Sequence, residues 1–369
     1  MPGEQQRKVI QHYLFSGLGG PGGVFFSLVE ADKQREFDYR ALFCGVEEVR
    51  EEYKANCLRL NIPYSYLRKK KGFDLGAYFS TFRHLRRNKP AVTFIHGVSY
   101  CIIPAFWYKL TRPRAKIIVR DTQAHHLKTR VEWFWMFFCL LLAKRIVFLT
   151  DASADGIKKK FGWWARRKKF VIIPNGLKIE DYKILNEFSV DGPIEIGMQS
   201  RMQPIKDHPL LLKAFKLLKE MNPGHPLHLQ IAGDGETFQA VKTLRAELGL
   251  VDSVTLHGML NAPALHTMME SLDIYVHATM GETLSNSIMQ AMAGGIPVIA
   301  SDVWGVNNMI TDGGNGLLYE PGNAQQLATK LNGLIHDVEK RKRLGANARK
   351  FAEENYDNAV MFRRYKELF

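Results

Sequence analysis

Apolar and polar positions along the chain fall into a repeating rhythm. Short runs rich in β-branched and aromatic residues, VIQHYLFS (9–16), FDYRALFC (37–44), AVTFIH (91–96), KIIVR (116–120), RIVFLT (145–150) and FVIIP (170–174), alternate with longer amphipathic stretches of helical period. Short apolar runs between helices are what a parallel sheet covered on both faces requires. The second half repeats the rhythm with PIEIGM (193–198), LHLQIAG (227–233), SVTLHG (253–258), DIYVHA (273–278), IPVIASD (296–302) and NGLLYE (315–320). Each half therefore predicts its own doubly wound α/β domain, and the polar, turn-rich passage 174–193 reads as the linker. With the boundary drawn near residue 185, the domains are 1–185 and 186–369. The tail from Asp337 to Phe369 reads as two charged amphipathic helices, the last free to pack back on the N-terminal domain. In open α/β sheets ligands collect at the carboxyl ends of strands, so the active site is expected in the cleft between the domains, on residues that follow strand ends.

Composition changes this picture mainly through charge. The 369 residues are 46% hydrophobic, enough for two cores and too apolar for a disordered or fibrous chain. The net charge of +14 is lopsided: residues 1–190 carry +17 and residues 191–369 carry −3. A strongly basic first half faces something anionic, such as nucleic acid, a phospholipid surface or an acidic substrate. Cys44, Cys57, Cys101 and Cys139 are widely spaced, and the opening MPGEQQRK is too polar for a signal peptide, so a reducing cytoplasm is expected. The most apolar run, Trp133–Ala143, has 11 residues. At ~1.5 Å per residue it covers about half of a ~30 Å hydrocarbon core, so it is not expected to span a membrane. Beside it lie Lys158–Lys160, Arg166–Lys169 and the interleaved Phe161, Trp163 and Trp164. That basic, aromatic segment suits docking on an anionic membrane surface, which places the protein peripherally on the inner face; the same residues would also serve as an ordinary solvated face.

Three constellations carry candidate chemistry. GLGGPG (17–22) follows a predicted strand and precedes a helix, where bare N–H groups can approach a phosphate. The only acidic residue offered for a ribose, Asp38, falls inside the next strand, and Pro21 removes one N–H. A tight strand-to-helix turn fits better, with Gly22 and Gly23 leaving room for a substrate in the cleft. GMQSRMQPIKD (197–207) puts Arg201 and Lys206 in the loop before a helix beginning near Asp207, a pairing that suits a diphosphate or, failing that, solvent. HATMGETLSNSIMQAMAGGIPVIASD (277–302) runs from a strand end through a small-residue helix into another buried strand. Thr283 and Ser285 can cap that helix, and Glu282 precedes it with a carboxylate read as free to accept hydroxyls or simply to favour the helix dipole. The sequence holds no D-x-D, no ligand-spaced His or Cys cluster, no G-x-x-x-x-G-K-[ST] and no G-x-S-x-G, so neither metal-anchored nor serine-nucleophile chemistry is expected.

Read in order, VIIPNG (171–176), Gly197 with Arg201 and Lys206, IAGDGE (231–236), LHG (256–258), GETLSNSIMQAMAGGIPVIASD (281–302) and NGLLYEPG (315–322) resemble the family-four retaining glycosyltransferases. GGVFFSLVEA (22–31) and TFIHG (93–97) extend the resemblance more loosely into the first half. The resemblance implies the GT-B fold, two Rossmann-like domains facing across a cleft. It also implies transfer of a sugar from a UDP- or GDP-linked donor to a glycan or lipid-linked acceptor, with no metal and no separate cofactor, in cell-surface polysaccharide or lipopolysaccharide biosynthesis. By the same resemblance Arg201 and Lys206 bind the donor diphosphate and stabilise the leaving group, and Glu282 opens an E-x7-E motif and contacts the donor sugar. Gly233 and the backbone around Thr283, Leu284 and Ser285 meet phosphate or sugar.

Two departures stand out. Gln290 occupies the place of the second Glu, which in the family holds the ribose, so the charge-assisted part of that contact is lost. Where the family often ends a strand with a His that reaches the donor sugar, this chain has Arg120 and Asp121. His125 and His126 follow a few residues later, and His96 is the alternative imidazole; each also suits an ordinary structural role. A nucleotide-sugar epimerase of similar fold and a catalytically weak sugar-nucleotide binder are the competing functions. Nucleic acid is not expected as a partner, because no recognised fold motif accompanies the charge.

Overall fold

A computed structural model describes residues 7–17, 20–72, 74–123, 125, 128–165, 169–184, 188 and 192–369, with the backbone alone at Gly20 and Pro21. The apolar runs of the first half form the strands β1 (Lys8–Phe15), β2 (Phe37–Gly45), β3 (Tyr64–Arg68), β4 (Val92–His96), β5 (Lys116–Asp121), β6 (Arg145–Phe148) and β7 (Phe170–Ile172). They make one sheet in the order β3-β2-β1-β4-β5-β6-β7, every neighbouring pair parallel. Both faces are covered, which is why the strands read as continuous apolar runs. Ile10, Leu14, Phe94, Ile118 and Val147 pack beneath Phe25, Leu28 and Val29 of α1 (Gly20–Ala31). Tyr13, Ile95, Ile117, Val119 and Ile146 pack against α3 (Leu75–Asn88), α4 (Ile102–Thr111) and α5 (Arg130–Leu142) on the other face. On the α1 side α2 (Glu51–Arg59) adds Tyr53 and Cys57 to the core, and α6 (Asp151–Phe161) follows β6. The strand β3 was not anticipated from the sequence; it is a sheet edge whose residues are all at least partly exposed, so YSYLR carries no core signature.

The second half forms β8 (Ile194–Gln199), β9 (Leu227–Ala232), β10 (Val254–Gly258), β11 (Ile274–His277), β12 (Val298–Ser301) and β13 (Leu317–Tyr319). Their order, again parallel throughout, is β10-β9-β8-β11-β12-β13. Around this sheet lie α7 (His208–Met221), α8 (Phe238–Glu247), α9 (Ala262–Glu270), α10 (Asn286–Ala293), α11 (Ala324–Ile335) and α12 (Val338–Asn355). Fully buried Arg341 of α12 donates to the carbonyls of Leu334 and Ile335, satisfying the otherwise orphaned end of α11. In each sheet the strand order reverses once, between β1 and β4 and between β8 and β11, and such switch points are where open sheets bind ligands.

The first unit comprises residues up to Gly176 together with Asn358–Phe369, and the second comprises Leu177–Asp357. The crossing at Gly176–Leu177 lies upstream of residue 185, which is itself outside the described residues. The last helix, α13 (Asn358–Lys366), is a component of the first unit: Met361, Phe362 and Tyr365 join the core under α1, and the Phe369 ring lies 5.3 Å from Phe37 and 6.0 Å from Phe94. Gly176 is glycine because a Cβ there would press on the Asn358 backbone at 2.8 Å.

Candidate functional site

In the second unit the switch point gathers the residues that follow β8 and β11. The loop after β8 is fixed from two sides. Ser200 N donates to Ala232 O and Met202 N to Asp234 O, and a Cβ on Gly233 (φ +134°) would overlap Ser200 O. Only glycine permits that approach. Downstream, Asp207 N donates to Ala278 O, and both Met280 N and Thr279 Oγ1 donate to Ile205 O, strapping Lys206 to the loop that carries Glu282. His208, buried at the start of α7, donates from Nδ1 to Lys206 O at 2.9 Å. Its Nε2 therefore accepts from Ser200 Oγ at 3.0 Å, because a carbonyl can only accept and the buried ring is neutral. Burial, aided by the Lys206 charge and opposed by the Lys206 carbonyl bond, pulls His208 down to about 4.

These straps bring Lys206 Nζ into an ion pair with Glu282 Oε2, both side chains being largely buried. His277 Nε2 lies 3.5 Å from each of the two, while its Nδ1 lies 3.4 Å from Tyr275 Oη, which donates to Gln199 O. Burial alone would raise the Glu282 carboxyl, but the His277 hydrogen bond and the Lys206 charge outweigh it and hold it at about 2. Burial lowers His277; its bond to Glu282 works against that and the Lys206 charge adds to it, leaving the imidazole neutral. The Glu282 carboxylate is thus not free, as the sequence suggested. Oε2 is engaged by Lys206 and His277, and Oε1 accepts from Thr283 N at 3.3 Å. Its backbone is held by Trp304 O, and Gly305 (φ +89°) is required there because a Cβ would overlap Glu282 O.

Of the two proposed caps of α10, Ser285 is the one that serves, accepting from Ile288 N; Thr283 and Leu284 are buried just ahead of it. Gln290, on the second turn, donates from Nε2 to Tyr182 Oη at 3.1 Å. Arg201 is exposed to solvent. His277, His208, Thr279 and Gly305 were missed by the sequence reading, since a lone His or Gly at a strand end or loop shows nothing of what it faces. Among the described residues no three His, Cys, Asp or Glu side chains come together as a metal site would require.

In the first unit the switch point holds a cavity of about 260 Å³ whose lining includes Gly17, Gly22, His96, Gly97, Asp121 and Glu132. Gly22 sits within the first turns of α1 against the Tyr53 ring, with open space beside Gly23, while Leu18 and Gly19 lie outside the described residues, as does His126. His96 Nε2 bonds His12 Nδ1 at 2.9 Å. Burial lowers both rings, His12 to about 3; the His12 and Arg120 charges lower His96 further. Arg120 is turned away from solvent and donates to Asn175 Oδ1. Asp121 forms a buried ion pair with Lys128 at 2.6 Å. His125 is not among the cavity residues; its ring occupies the space over Gly156 of α6, where a Cβ would collide with it.

Comparison with known proteins agrees with this division. Residues 184–351 match the family model described as Glycosyl transferases group 1, and residues 18–181 match Glycosyltransferase Family 4. The chain is similar to an uncharacterised glycosyltransferase of Methanocaldococcus jannaschii, 28% identical over 62% of this chain and 58% of that protein. It is also similar to the capsular polysaccharide biosynthesis glycosyltransferase CapM of Staphylococcus aureus, 25% identical over 61% of this chain and 55% of that protein. The match thus spans little more than half the length of these relatives. In structure it resembles Anabaena HepE, solved in complex with UDP and glucose, with a TM-score of 0.80 at 19% identity over 98% of this chain and 99% of that one.

Proposed function

The chain belongs to the family-four, group 1 glycosyltransferases of GT-B fold, and from that premise we propose that it transfers a sugar, with retention of anomeric configuration, from a nucleotide diphosphate sugar to a saccharide or lipid-linked saccharide. The observation that carries this reading is the Lys206–Glu282–His277 cluster at the β8/β11 switch point. As the glycosidic bond breaks, negative charge grows on the departing diphosphate. A cation fixed beforehand at a largely buried position stabilises that charge more than water does. Lys206 fills this role with Arg201 forking onto further phosphate oxygens, and no metal or separate cofactor is needed. Glu282 holds hydroxyls of the donor sugar, Gly233 and the backbone of Thr283, Leu284 and Ser285 take phosphate and sugar, and Gln290 faces the ribose. HepE was solved with UDP, which favours a UDP-linked donor, and CapM's role in capsular polysaccharide biosynthesis favours a cell-surface glycan.

The test is turnover of a panel of UDP- and GDP-sugars in excess chelator, with the anomeric configuration of the product read by NMR. Lys206→Ala is expected to lower turnover at least ~100-fold, the scale of losing one preorganised stabiliser. Near-normal turnover in Lys206→Ala would remove the diphosphate assignment. Loss of activity in chelator would remove metal independence. Conversion of donor to an epimer in the absence of any acceptor would favour the epimerase.

We also place the protein at an anionic membrane surface. No described helix is long and apolar enough to cross a bilayer. Yet α5, whose Met136, Cys139 and Leu140 are buried, leaves Val131, Phe134 and Leu141 exposed. Trp163 is 71% exposed and stacks at 4.1 Å on Trp164, and Lys160 lies 4.6 Å over the Trp133 ring. Lys158 and Lys159 flank them, while Arg166–Lys168 lie outside the described residues. Aromatic rings favour the headgroup region, and each cation adds roughly 1 kcal/mol near an anionic leaflet. Co-sedimentation with anionic but not neutral vesicles, lost when Lys158–Lys160 become Gln and Trp163 becomes Ala, is expected. Equal recovery in the supernatant with both vesicle types at low salt would sink the docking.

A further inference from the structure

We propose that His277 is a positioning residue that takes up a proton when the donor binds and replaces Lys206 as the counter-ion of Glu282. This rests on the transfer reading above, in which Lys206 goes to the diphosphate. In the free protein Lys206 Nζ is ion-paired with Glu282 Oε2, and His277 Nε2 lies 3.5 Å from each of those atoms. The cluster then holds one ammonium, one carboxylate and a neutral imidazole. Once the ammonium turns to phosphate, Glu282 is left as a largely buried negative charge, which is costly without a partner. Among the described residues His277 is the other basic group that reaches this carboxylate.

The ring is set to carry the charge. An imidazolium donates from both nitrogens, so it needs an acceptor on each side. Nε2 faces Glu282 Oε2, and Nδ1 faces Tyr275 Oη at 3.4 Å. That hydroxyl sends its own hydrogen to Gln199 O at 3.1 Å, which leaves its oxygen to accept. The other three buried histidines have no such surroundings. His12 and His96 meet nitrogen to nitrogen at 2.9 Å, where one of the two facing atoms must lack a hydrogen. His208 meets the Lys206 carbonyl and the Ser200 hydroxyl, with no carboxylate.

The balance of charges around the ring changes with the donor. Burial disfavours the charged ring, the bond to Glu282 favours it and the Lys206 charge opposes it. Donor binding draws the Lys206 charge onto phosphate, keeps Glu282 in place and brings further negative charge, so the imidazolium becomes the favoured form. The remaining groups do not offset this. Burial pushes the Tyr275 hydroxyl up, so it stays neutral on the same strand. His208, at the start of α7, is neutral as well. The Asp207 carboxylate is spent on capping α7 at Leu210 N, and from β12 Ser301 presents an uncharged hydroxyl to the His277 carbonyl. The proton comes from solvent, which reaches the Glu282 side chain at 23% exposure.

The experiment is titration calorimetry on the full chain with UDP-glucose and GDP-mannose, diphosphate diesters that exchange no proton near neutral pH. Repeating it in buffers of different ionisation enthalpy counts the protons taken up. At least ~0.5 proton is expected to enter per donor bound near about pH 7, with affinity falling at least ~4-fold from about pH 6.5 to about pH 8.5. His277→Gln keeps a hydrogen-bond donor for Glu282 but cannot gain a charge. It is expected to take up no proton, to match the wild type at the higher pH and to bind more weakly at the lower; a purely structural role would weaken binding equally at both. Glu282→Gln keeps the ring and removes the carboxylate, so it is expected to lose the uptake too, whether or not the first variant folds. Donor binding by the wild type without proton uptake, or unchanged uptake in either folded variant, would overturn the proposal. Turnover of a donor bound in that way leaves the transferase reading standing, whereas proton-coupled binding with no turnover of any donor sinks only the transferase reading. Failure of every nucleotide sugar to bind overturns both.

Discussion

Lys206 Nζ and Glu282 Oε2 come together across 76 positions of sequence, and their pairing makes a demand on donor binding. A diphosphate needs the ammonium that the carboxylate already holds. When Lys206 turns to phosphate, Glu282 keeps its hydrogen bond from His277, so the carboxylate is not left as an uncompensated buried charge. Glu282→Gln is therefore expected to have opposite effects on two measurements. Calorimetry should show UDP binding tightened about tenfold, equivalent to about 1.4 kcal/mol, because Lys206 is released and a negative neighbour removed. Sugar transfer should fall sharply, because the contact to the reacting sugar is gone. UDP binding weakened by the same substitution would show that the pair does not compete with the nucleotide. Arg201, Lys206 and Glu282 were legible in the sequence as members of a motif. What they touch was not: the ion pair depends on the straps from Ala278, Thr279 and Met280 to the 205–207 backbone, and a sequence shows neither end of such a hydrogen bond.

Strands and helices were easier to read than the loops between them, and the reason is burial. All six strands of the second unit and six of the seven of the first lie on apolar runs because their sheets are covered on both faces; β3 escaped because its edge position spares it that requirement. The apolar stretch of α5 was legible in length, but which of its sides meets the core and which meets solvent depends on how α4 and α6, its neighbours in the chain, fold back against it. Loops carry a different signal, glycine at a backbone angle other residues avoid. Gly305 is the instructive case, lying 23 positions beyond the Glu282 carbonyl against which it packs. Gly305→Ala forces a left-handed backbone on a residue that resists it and drives a methyl into that carbonyl. It is expected to cost at least ~1 kcal/mol of stability and to lower turnover more than that loss explains, because Glu282 must shift. Unfolding by urea alongside steady-state kinetics checks both; a stable, fully active Gly305→Ala protein would show that the loop does not set the carboxylate.

Taken as a whole, the molecule carries buried neutral histidines in both units, His12 and His96 in the first, His208 and His277 in the second. All four lie below their ordinary value of 6.5, His12 at about 3 and His208 at about 4. The unfolded chain therefore binds protons that the folded chain refuses once the pH drops below about 6.5. Stability is complete above that value and falls as the pH descends toward the folded values, by up to about 1.4 kcal/mol per pH unit for each ring. The depressed Glu282 adds its own loss in a lower window, from 4.5 down to about 2. Calorimetric melting temperatures are expected to drop steeply between about pH 6.5 and 4, with a shallower slope in His208→Asn; a flat profile down to pH 4.5 would contradict the buried neutral rings. The return of α13 to the first unit has a consequence in time as well as in space. A ribosome threads out the sheet of the first unit, then the whole of Leu177–Asp357, and only afterwards Met361, Phe362, Tyr365 and Phe369. At ~5–20 residues per second the interval is on the order of 10 to 40 s. Throughout it Phe37, Phe94 and the rings around His12 have no cover on the side α13 will occupy, so the nascent chain carries an open aromatic face until its last helix is made.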